Sequence, residues 1–222
     1  MKRKIISLFF ILACMATSFA CSAPLTYSAK EIHGQIVGTD TNQPIEGAIV
    51  VAQWVLFHIG PGHGGHKSRI HIHETMTDKN GNYMIPAWGP KLRPPMTELH
   101  ERDPQLSIFK SNYEPLGLSN TVISSVRHDS LRVSEWDGKV IKLTRTKQSL
   151  EDQAFRLSSF YGGLEYGSSG KDWYNYPRML LALYAEKARL QSLGLKPGHA
   201  GSIPNMRNFS ESDRHYLKRF EK

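Results

Sequence analysis

The run Ala48–Phe57 limits the fold of this chain more than any other segment. It is apolar apart from Gln53, and most of its side chains are β-branched or aromatic. A turn-rich cluster, Thr39–Pro44, precedes it, and a glycine-rich stretch follows it. Short apolar runs with these flanks are typical of strands that a sheet buries. The sequence therefore predicts a largely buried β-strand here.

Further short segments carry strand patterns, with turn residues between them. Apolar and polar residues alternate or cluster in Ile32–Gly38, Ser68–Thr77, Tyr83–Pro86, Leu106–Lys110 and Lys139–Leu143. Asn80-Gly81 lies between two of these runs and predicts a hairpin turn. A further short strand is expected at 121–123, and the proline-rich segment 88–104 is expected to be irregular. Many short strands at this spacing favour a mainly β protein, an antiparallel β-sandwich.

The pattern changes after Thr146, where helical signals begin. Ser149–Asp152 has the composition of a helix N-cap, and Tyr176–Leu193 carries apolar residues at spacings of three, four and seven before Gly194. A third helix is expected over 210–220. We therefore predict a β-sandwich over 31–146 and an α-helical C-terminal extension over 147–222 that packs on the sandwich.

The N-terminus has the composition of an export signal. Met1–Lys4 is basic, an apolar run follows, and small residues lead up to Ala20 and Cys21. This order is typical of a secretory signal peptide, and the apolar run is short for a membrane span. We therefore predict a signal peptide over 1–20, a tether over 21–30, and export to the cell envelope facing the periplasm.

Both cysteines of the chain, Cys14 and Cys21, lie in this N-terminal segment. Each follows an alanine and resembles the lipidation site of bacterial lipoproteins. Cys21 gives a signal of ordinary length and is the preferred site, with Cys14 and simple cleavage after Ala20 as the alternatives. Lipid on Cys21 would attach the protein to a membrane.

Composition excludes several functional classes. The body after Cys21 has no cysteine, so a disulfide framework, a Cys-ligated zinc site and a thiol nucleophile are all excluded. The formal net charge of +8 is modest, and cleavage of the signal would lower it, so we expect no nucleic-acid partner. No nucleophile elbow, P-loop, dinucleotide fingerprint or zinc-protease helix is present, so we expect no enzymatic activity.

Half of the histidines are concentrated in one region, at positions 58, 63, 66, 71 and 73. His71 and His73 are two apart on a predicted strand and should share one face, while Glu74 should point to the other. If the glycine-rich loop brings His63 or His66 to them, three neutral imidazoles could hold Zn, Cu or Ni with an open position for water, so the four candidate ligands are His63, His66, His71 and His73. The alternative is a solvent-facing strand on which histidine is merely tolerated. A metallohydrolase would also need a carboxylate base beside an open coordination position.

The order of the motifs resembles the carboxypeptidase regulatory-like domain family, a prealbumin-like (transthyretin-like) β-sandwich. The similar segments are Ile32–Gly38, Pro44–Val50 and Thr75–Pro86, with Leu106–Tyr113 matching a later strand in which Asn112 replaces the usual glycine. Pro44 and Gly47 would turn the chain into the buried strand, and Asn80 and Gly81 would close the hairpin. The histidine-rich insertion and the helical extension depart from the family's pattern.

The resemblance implies a binding or structural accessory, because members of this family share no single chemistry. The first hypothesis is a non-catalytic, lipid-anchored envelope module that binds a protein, peptide or glycan through the loops 57–69 and 87–104. In that case Trp88 either contacts the partner or caps the sandwich core. The alternative hypothesis is a periplasmic metal-binding protein that uses the His58–His73 cluster.

Overall fold

The computed structural model describes residues 23–59, 67–121, 129–165, 170–196, 198–203 and 205–221, with Lys67 and Arg207 described for their backbone only. Within these residues the strands form three sheets, and the helices follow the last strand. The fold is mainly β with a helical C-terminal part, which confirms the predicted fold class.

The largest sheet has the strand order β4-β3-β8-β9, and the short strand β7 also pairs with β3. Its members are β3 (Ile49–His58), β4 (Lys67–Met76), β7 (Thr97–Leu99), β8 (Gln105–Phe109) and β9 (Leu116–Leu118). All of these pairings are antiparallel. We call this the central sheet, because a separate apolar cluster packs on each of its faces.

Two three-stranded sheets pack on one face of the central sheet and complete the sandwich. One has the order β10-β1-β6, with β1 (Thr26–Ala29), β6 (Trp88–Leu92) and β10 (Leu131–Arg132). The other has the order β11-β2-β5, with β2 (Ile32–Gly38), β5 (Asn82–Ile85) and β11 (Lys139–Leu143). The β1–β10 and β2–β11 pairs are parallel, so the sandwich is not antiparallel throughout.

Three α-helices form the third layer. They are α1 (Leu150–Glu165), α2 (Pro177–Ser192) and α3 (Glu211–Leu217). Helix α2 buries Leu180, Leu183 and Leu190, as the apolar spacing predicted, and these side chains join Phe109 and Val51 of the central sheet in one cluster. The helices therefore cover the face of the central sheet that points away from the sandwich.

Strand β3 supplies side chains to both cores. Its residues are buried from Ile49 through Leu56. The side chains of Val50, Ala52, Trp54 and Leu56 belong to the sandwich core, whereas Ile49 and Val51 belong to the helical core. Because successive side chains of a strand point to opposite faces, burial on both faces needs the unbroken apolar run that the sequence shows.

Strand β4 joins the central sheet to the helices through polar side chains. The Glu74 carboxylate accepts hydrogen bonds from the backbone N–H groups of Arg178 (3.2 Å) and Met179 (2.7 Å), in the first turn of α2. The Arg69 guanidinium, whose side chain is 2% exposed, donates to Asp172 at 2.7 Å. Glu74 thus caps a helix from a strand about a hundred residues away in sequence.

One expectation about the early chain is wrong. The segment 21–30 is not a tether throughout, because Thr26–Ala29 forms β1, which lies between β6 and β10. Alternation in this segment is too brief to stand out from its small and polar neighbours, yet Tyr27 and Ala29 are buried in the sandwich core.

The turn at Asn80-Gly81 does not close a hairpin. Strand β4 pairs with β3, whereas β5 pairs with β2 in a different sheet. The turn therefore carries the chain from one layer of the sandwich to the other. Gly81 has a φ of +74°, and a Cβ there would lie 2.4 Å from the Ile36 carbonyl oxygen, so a side chain is excluded.

Other predicted features are located as follows. Pro44 forms an isolated bridge with Val37, and Gly47 has a φ of +67° just before β3. Asn112, which stands where the family has glycine, also has a positive φ of 66°, a conformation that asparagine tolerates. The proline-rich segment 88–104 is less irregular than expected, since it contains β6 and β7.

Several predicted features lie outside the described residues. They are the signal peptide with Cys14 and Cys21, the histidines His63 and His66, and most of the short strand expected at 121–123. Over the part of the chain that is described, no helix combines the length and hydrophobicity needed to cross a membrane.

The capping role of Glu74 predicts a stability effect. Replacing Glu74 by Ala removes the acceptor for two N–H groups at the start of α2 and should lower the free energy of unfolding by about 2 kcal/mol. Glu74→Gln keeps an acceptor and should cost less. Urea unfolding measures both, with the exposed Glu46→Ala as control. Equal stability of the Glu74→Ala and Glu46→Ala variants would contradict the capping role.

Candidate functional site

His71 and His73 share one face of β4, as the spacing predicted. They pair with Trp54 and Ala52 of β3, whose side chains lie in the sandwich core. Both histidines are half-buried, so this face of the strand points towards the sandwich interior and not to open solvent. His58 lies at the end of β3.

The imidazole of His71 packs against two indole rings. Its ring centroid is 5.5 Å from that of Trp54 and 5.0 Å from that of Trp88. Trp88 is 8% exposed and belongs to the sandwich core, so it caps the core and does not present its ring to a partner. The Lys91 ammonium donates to Nδ1 of His71 at 2.9 Å, which leaves the proton of the neutral ring on Nε2.

This environment keeps His71 neutral. Burial, followed by the charges of Lys91 and His73, lowers the pKa of His71 to about 4. Burial also lowers the pKa of His73 and that of Lys91. A neutral imidazole binds a metal through its unprotonated nitrogen, but in His71 that nitrogen is Nδ1, which already accepts from Lys91, while Nε2 carries the proton.

Only two of the four predicted metal ligands can be placed. Among the described residues, no group of three or more His, Cys, Asp or Glu side chains is arranged to hold a metal ion. The lysine ammonium beside His71 also opposes a bound cation, because like charges repel in a partly desolvated site. The Zn, Cu or Ni site that would include His63 and His66 stays a prediction.

A wide groove lies on the other side of the central sheet, between its outer strands and α1. Its volume is about 1110 Å³, and it is open to solvent. Ser107 of β8 is paired with Val51 and with Gly117 of β9, and Val51 belongs to the helical core. Ser107 and Gly117 therefore face the helices and form the floor of the groove. Because both are small, the sheet does not fill the space below α1.

One stripe of α1 forms the wall of the groove. Phe155, Ser159 and Gly163 follow one another at intervals of four residues, so they lie along one side of the helix. Phe155 is 72% exposed, and a Cβ built on Gly163 would meet nothing within 4 Å. The opposite side of the helix buries Ala154, Leu157 and Leu164, which fixes the orientation of the stripe.

Four ionisable side chains line the groove; neighbours hold those of Asp152, His100 and Arg156, and the fourth, Arg102, is exposed. Asp152 accepts a hydrogen bond from Ser149, which caps α1 as the sequence predicted. Nδ1 of His100 accepts from the backbone N–H of Arg102 at 3.0 Å. Arg156 lies 3.8 Å from Glu114. These groups are engaged in structure, and the groove offers hydrogen bonds and an aromatic surface.

The groove was not predicted from the sequence. Two loops, 57–69 and 87–104, were expected to bind a partner. Among their described residues, those that line the groove are His100 and Arg102 of the second loop. A signal was present in α1, where Phe155 interrupts a polar helix face and Gly162-Gly163 lies within the helix. That signal has meaning only once the helix is seen to lie against β8 and β9.

Comparison with solved structures gives weak likenesses. An ancillary pilin from a streptococcus matches with a TM-score of 0.26 and 11% identity, over 54% of this chain and 30% of the pilin. The C-terminal domain of a shaft pilin from Lactobacillus rhamnosus GG matches with a TM-score of 0.25 and 9% identity, over 55% of this chain and 100% of that domain. A 3-chlorocatechol 1,2-dioxygenase from Rhodococcus opacus 1CP matches with a TM-score of 0.27 and 12% identity, over 55% of this chain and 60% of the enzyme.

The chain thus spans less than two thirds of the length of the ancillary pilin and of the dioxygenase. At these scores the likenesses carry no argument about function. In sequence, the chain matches no protein-family model and no curated protein. The family resemblance therefore stays a prediction.

The lowered pKa of His71 predicts a pH dependence of stability. Because its pKa is about 4 in the folded protein and 6.5 ordinarily, the unfolded chain takes up a proton first as the pH falls. The contribution of His71 to stability should therefore decline from about pH 6.5 towards pH 4. Urea unfolding at pH 7 and pH 5 measures the change, which should be smaller in His71→Gln than in the wild type.

The control for this experiment is His33→Gln, since the His33 side chain is 56% exposed. This variant should lose as much stability between pH 7 and pH 5 as the wild type does. An equal loss in His71→Gln would contradict the assignment of a neutral, buried imidazole.

Proposed function

We propose that this chain is an exported, lipid-anchored, non-catalytic module of the cell envelope that binds an extended glycan in the groove between α1 and the central sheet. The observation that carries the proposal is the groove itself, which has a volume of about 1110 Å³ and a lining that includes neutral polar side chains and an exposed aromatic ring. The family resemblance, which implies a binding accessory, supports the same class of function.

The lining matches the chemistry of a sugar chain. Gln105, Ser107, Ser119 and Ser159 can donate and accept hydrogen bonds without charge, as hydroxyl groups require. The exposed ring of Phe155 offers a flat apolar surface on which the C–H face of a sugar ring can pack. Because the groove is open, a polymer longer than the site can pass through it.

A glycan fits this groove better than an extended peptide does. Peptides that bind to sheets add a strand along an edge, where backbone N–H and C=O groups are available. Here the floor is the face of β8 and β9 and not the outer edge of β9, and these two strands are hydrogen-bonded to each other. Recognition at the floor must therefore come from side chains, which suits hydroxyl-rich ligands.

The state of the rim groups supports a binding role without catalysis. A hydrolase needs a positioned acid and base or a nucleophile next to the bound substrate. Asp152 belongs to the helix cap, and Nδ1 of His100 is used by the backbone of its own loop. The envelope location rests on the signal-like N-terminus and on Cys21 as the predicted lipidation site.

Blocking the groove should abolish binding without loss of stability. Gly163→Tyr directs a ring into the groove, and replacing a helical glycine also favours the helix. We expect isothermal titration with an N-acetylglucosamine hexamer to show saturable binding by the wild type and at least tenfold weaker binding by this variant. Phe155→Ala should weaken binding about tenfold through the lost stacking surface.

Gly162→Tyr is the matched control. Gly162 lies on the same helix with the same open surroundings, but it does not line the groove, so this variant should bind like the wild type. Equal affinities of the two tyrosine variants would contradict the assignment of the site. Saturable binding of a neutral twelve-residue Ser/Gly/Thr peptide in place of the sugar would contradict the assignment of the ligand.

A further inference from the structure

Exposed apolar side chains gather at one end of the sandwich, near the first described residues. Leu25 is 78% exposed, Leu92 79%, Met96 56% and Ile59 42%. We call these four residues the apolar tip. They are large aliphatic side chains, and none of them serves the sandwich core or the helical core.

Backbone hydrogen bonds hold the segments of the apolar tip together. The N–H of Arg93 donates to the Leu25 carbonyl at 2.9 Å, and the N–H of Ile59 donates to the Met96 carbonyl at 2.8 Å. The Arg93 side chain connects these segments, since it donates to the carbonyls of Pro24 and Thr97. The apolar tip is therefore built on backbone that is fixed on three segments of the chain.

Stability of the isolated fold does not account for the apolar tip. Exposed aliphatic groups forgo the favourable transfer from water that burial would give. Met96 moreover has a backbone φ of 57°, in the left-handed region that residues other than glycine, asparagine and aspartate rarely adopt. A strained backbone that presents an apolar side chain to solvent indicates a role in contact with another apolar phase.

The position of Cys21 in the sequence indicates that the apolar phase is a lipid bilayer. Leu25 lies four positions after Cys21, and a chain of this length spans at most about 14 Å even when fully extended. The Pro24 carbonyl is already bound by Arg93, so the chain is fixed to the body of the protein three residues after Cys21. A lipid on Cys21 therefore brings the bilayer surface to the apolar tip.

We propose that Leu25, Ile59, Leu92 and Met96 insert into the interfacial region of the lipid bilayer and fix the orientation of the protein on the membrane. This inference rests on the lipid anchor in the proposed function and adds a specific membrane-contacting surface. Aliphatic side chains at the headgroup boundary add to the membrane affinity that a covalent lipid provides. The lipid alone would leave the attached domain free to rotate.

Site-directed labelling in vesicles tests the inference. The body after Cys21 has no cysteine, so Leu92→Cys and Val140→Cys each provide one labelling site in the full chain expressed with its own N-terminus. Both positions are well exposed, at 79% and 56%, and Val140 lies on β11, in a different sheet from Leu92. Each purified protein is labelled with a bimane dye and reconstituted in phosphatidylethanolamine/phosphatidylglycerol vesicles with or without doxyl-labelled lipid.

We expect doxyl lipid to quench the dye at position 92 at least twofold more than the dye at position 140. Equal quenching of the two dyes on vesicle-bound, lipidated protein would overturn this inference and leave the anchor intact. A dye at position 92 that is shielded from both iodide and doxyl lipid would show a protein contact and would also overturn it. Mass spectrometry distinguishes failure of the lipid anchor from failure of the membrane contact alone. An unmodified Cys21 would overturn the anchor together with the inference.

Discussion

Burial of β3 on both faces is the constraint on which the rest of this structure depends. A strand whose residues are buried from Ile49 through Leu56 must be covered from two sides. Strands β1, β2, β5, β6 and β11 cover one side, and the helices cover the other. A sandwich without the helices would expose Ile49, Val51 and Phe109, so the helical part completes the fold and is not an addition to it.

Polar contacts determine where the helices lie on this apolar surface. Glu74 accepts hydrogen bonds from the first turn of α2, and Arg69 donates to Asp172, so β4 fixes the helical layer at two positions. Burial raises the pKa of Glu74, while hydrogen bonds from Met179 and Arg178 act in the opposite direction. Gln53 of β3 and Arg69 of β4 both donate to the Leu164 carbonyl near the end of α1, which holds this helix alongside the sheet. The groove exists because small residues at Ser107 and Gly117 leave space below α1.

The sequence predicted local structure better than long-range structure. The buried strand, the helical stripe of α2 and the Ser149 cap follow from residues that are neighbours in sequence. The Asn80-Gly81 turn was identified, but its role was not, because the same turn chemistry serves a hairpin or a crossing between sheets. Glu74 was expected to point away from the two histidines, but its role as a helix cap was not predicted, because its partners lie about a hundred residues further along the chain. The groove was missed for the same reason.

Because β3 is buried between them, the sandwich and the helices should unfold as one cooperative unit, and the proposed binding groove lies between these two parts. This cooperativity is tested by equilibrium unfolding of a Trp173→Phe variant, in which Trp54, Trp88 and Trp136 report on the sandwich by fluorescence while circular dichroism at 222 nm reports on the helices. Coincident transitions in urea are predicted. Loss of the helical signal at lower urea, with the sandwich fluorescence unchanged, would contradict the account.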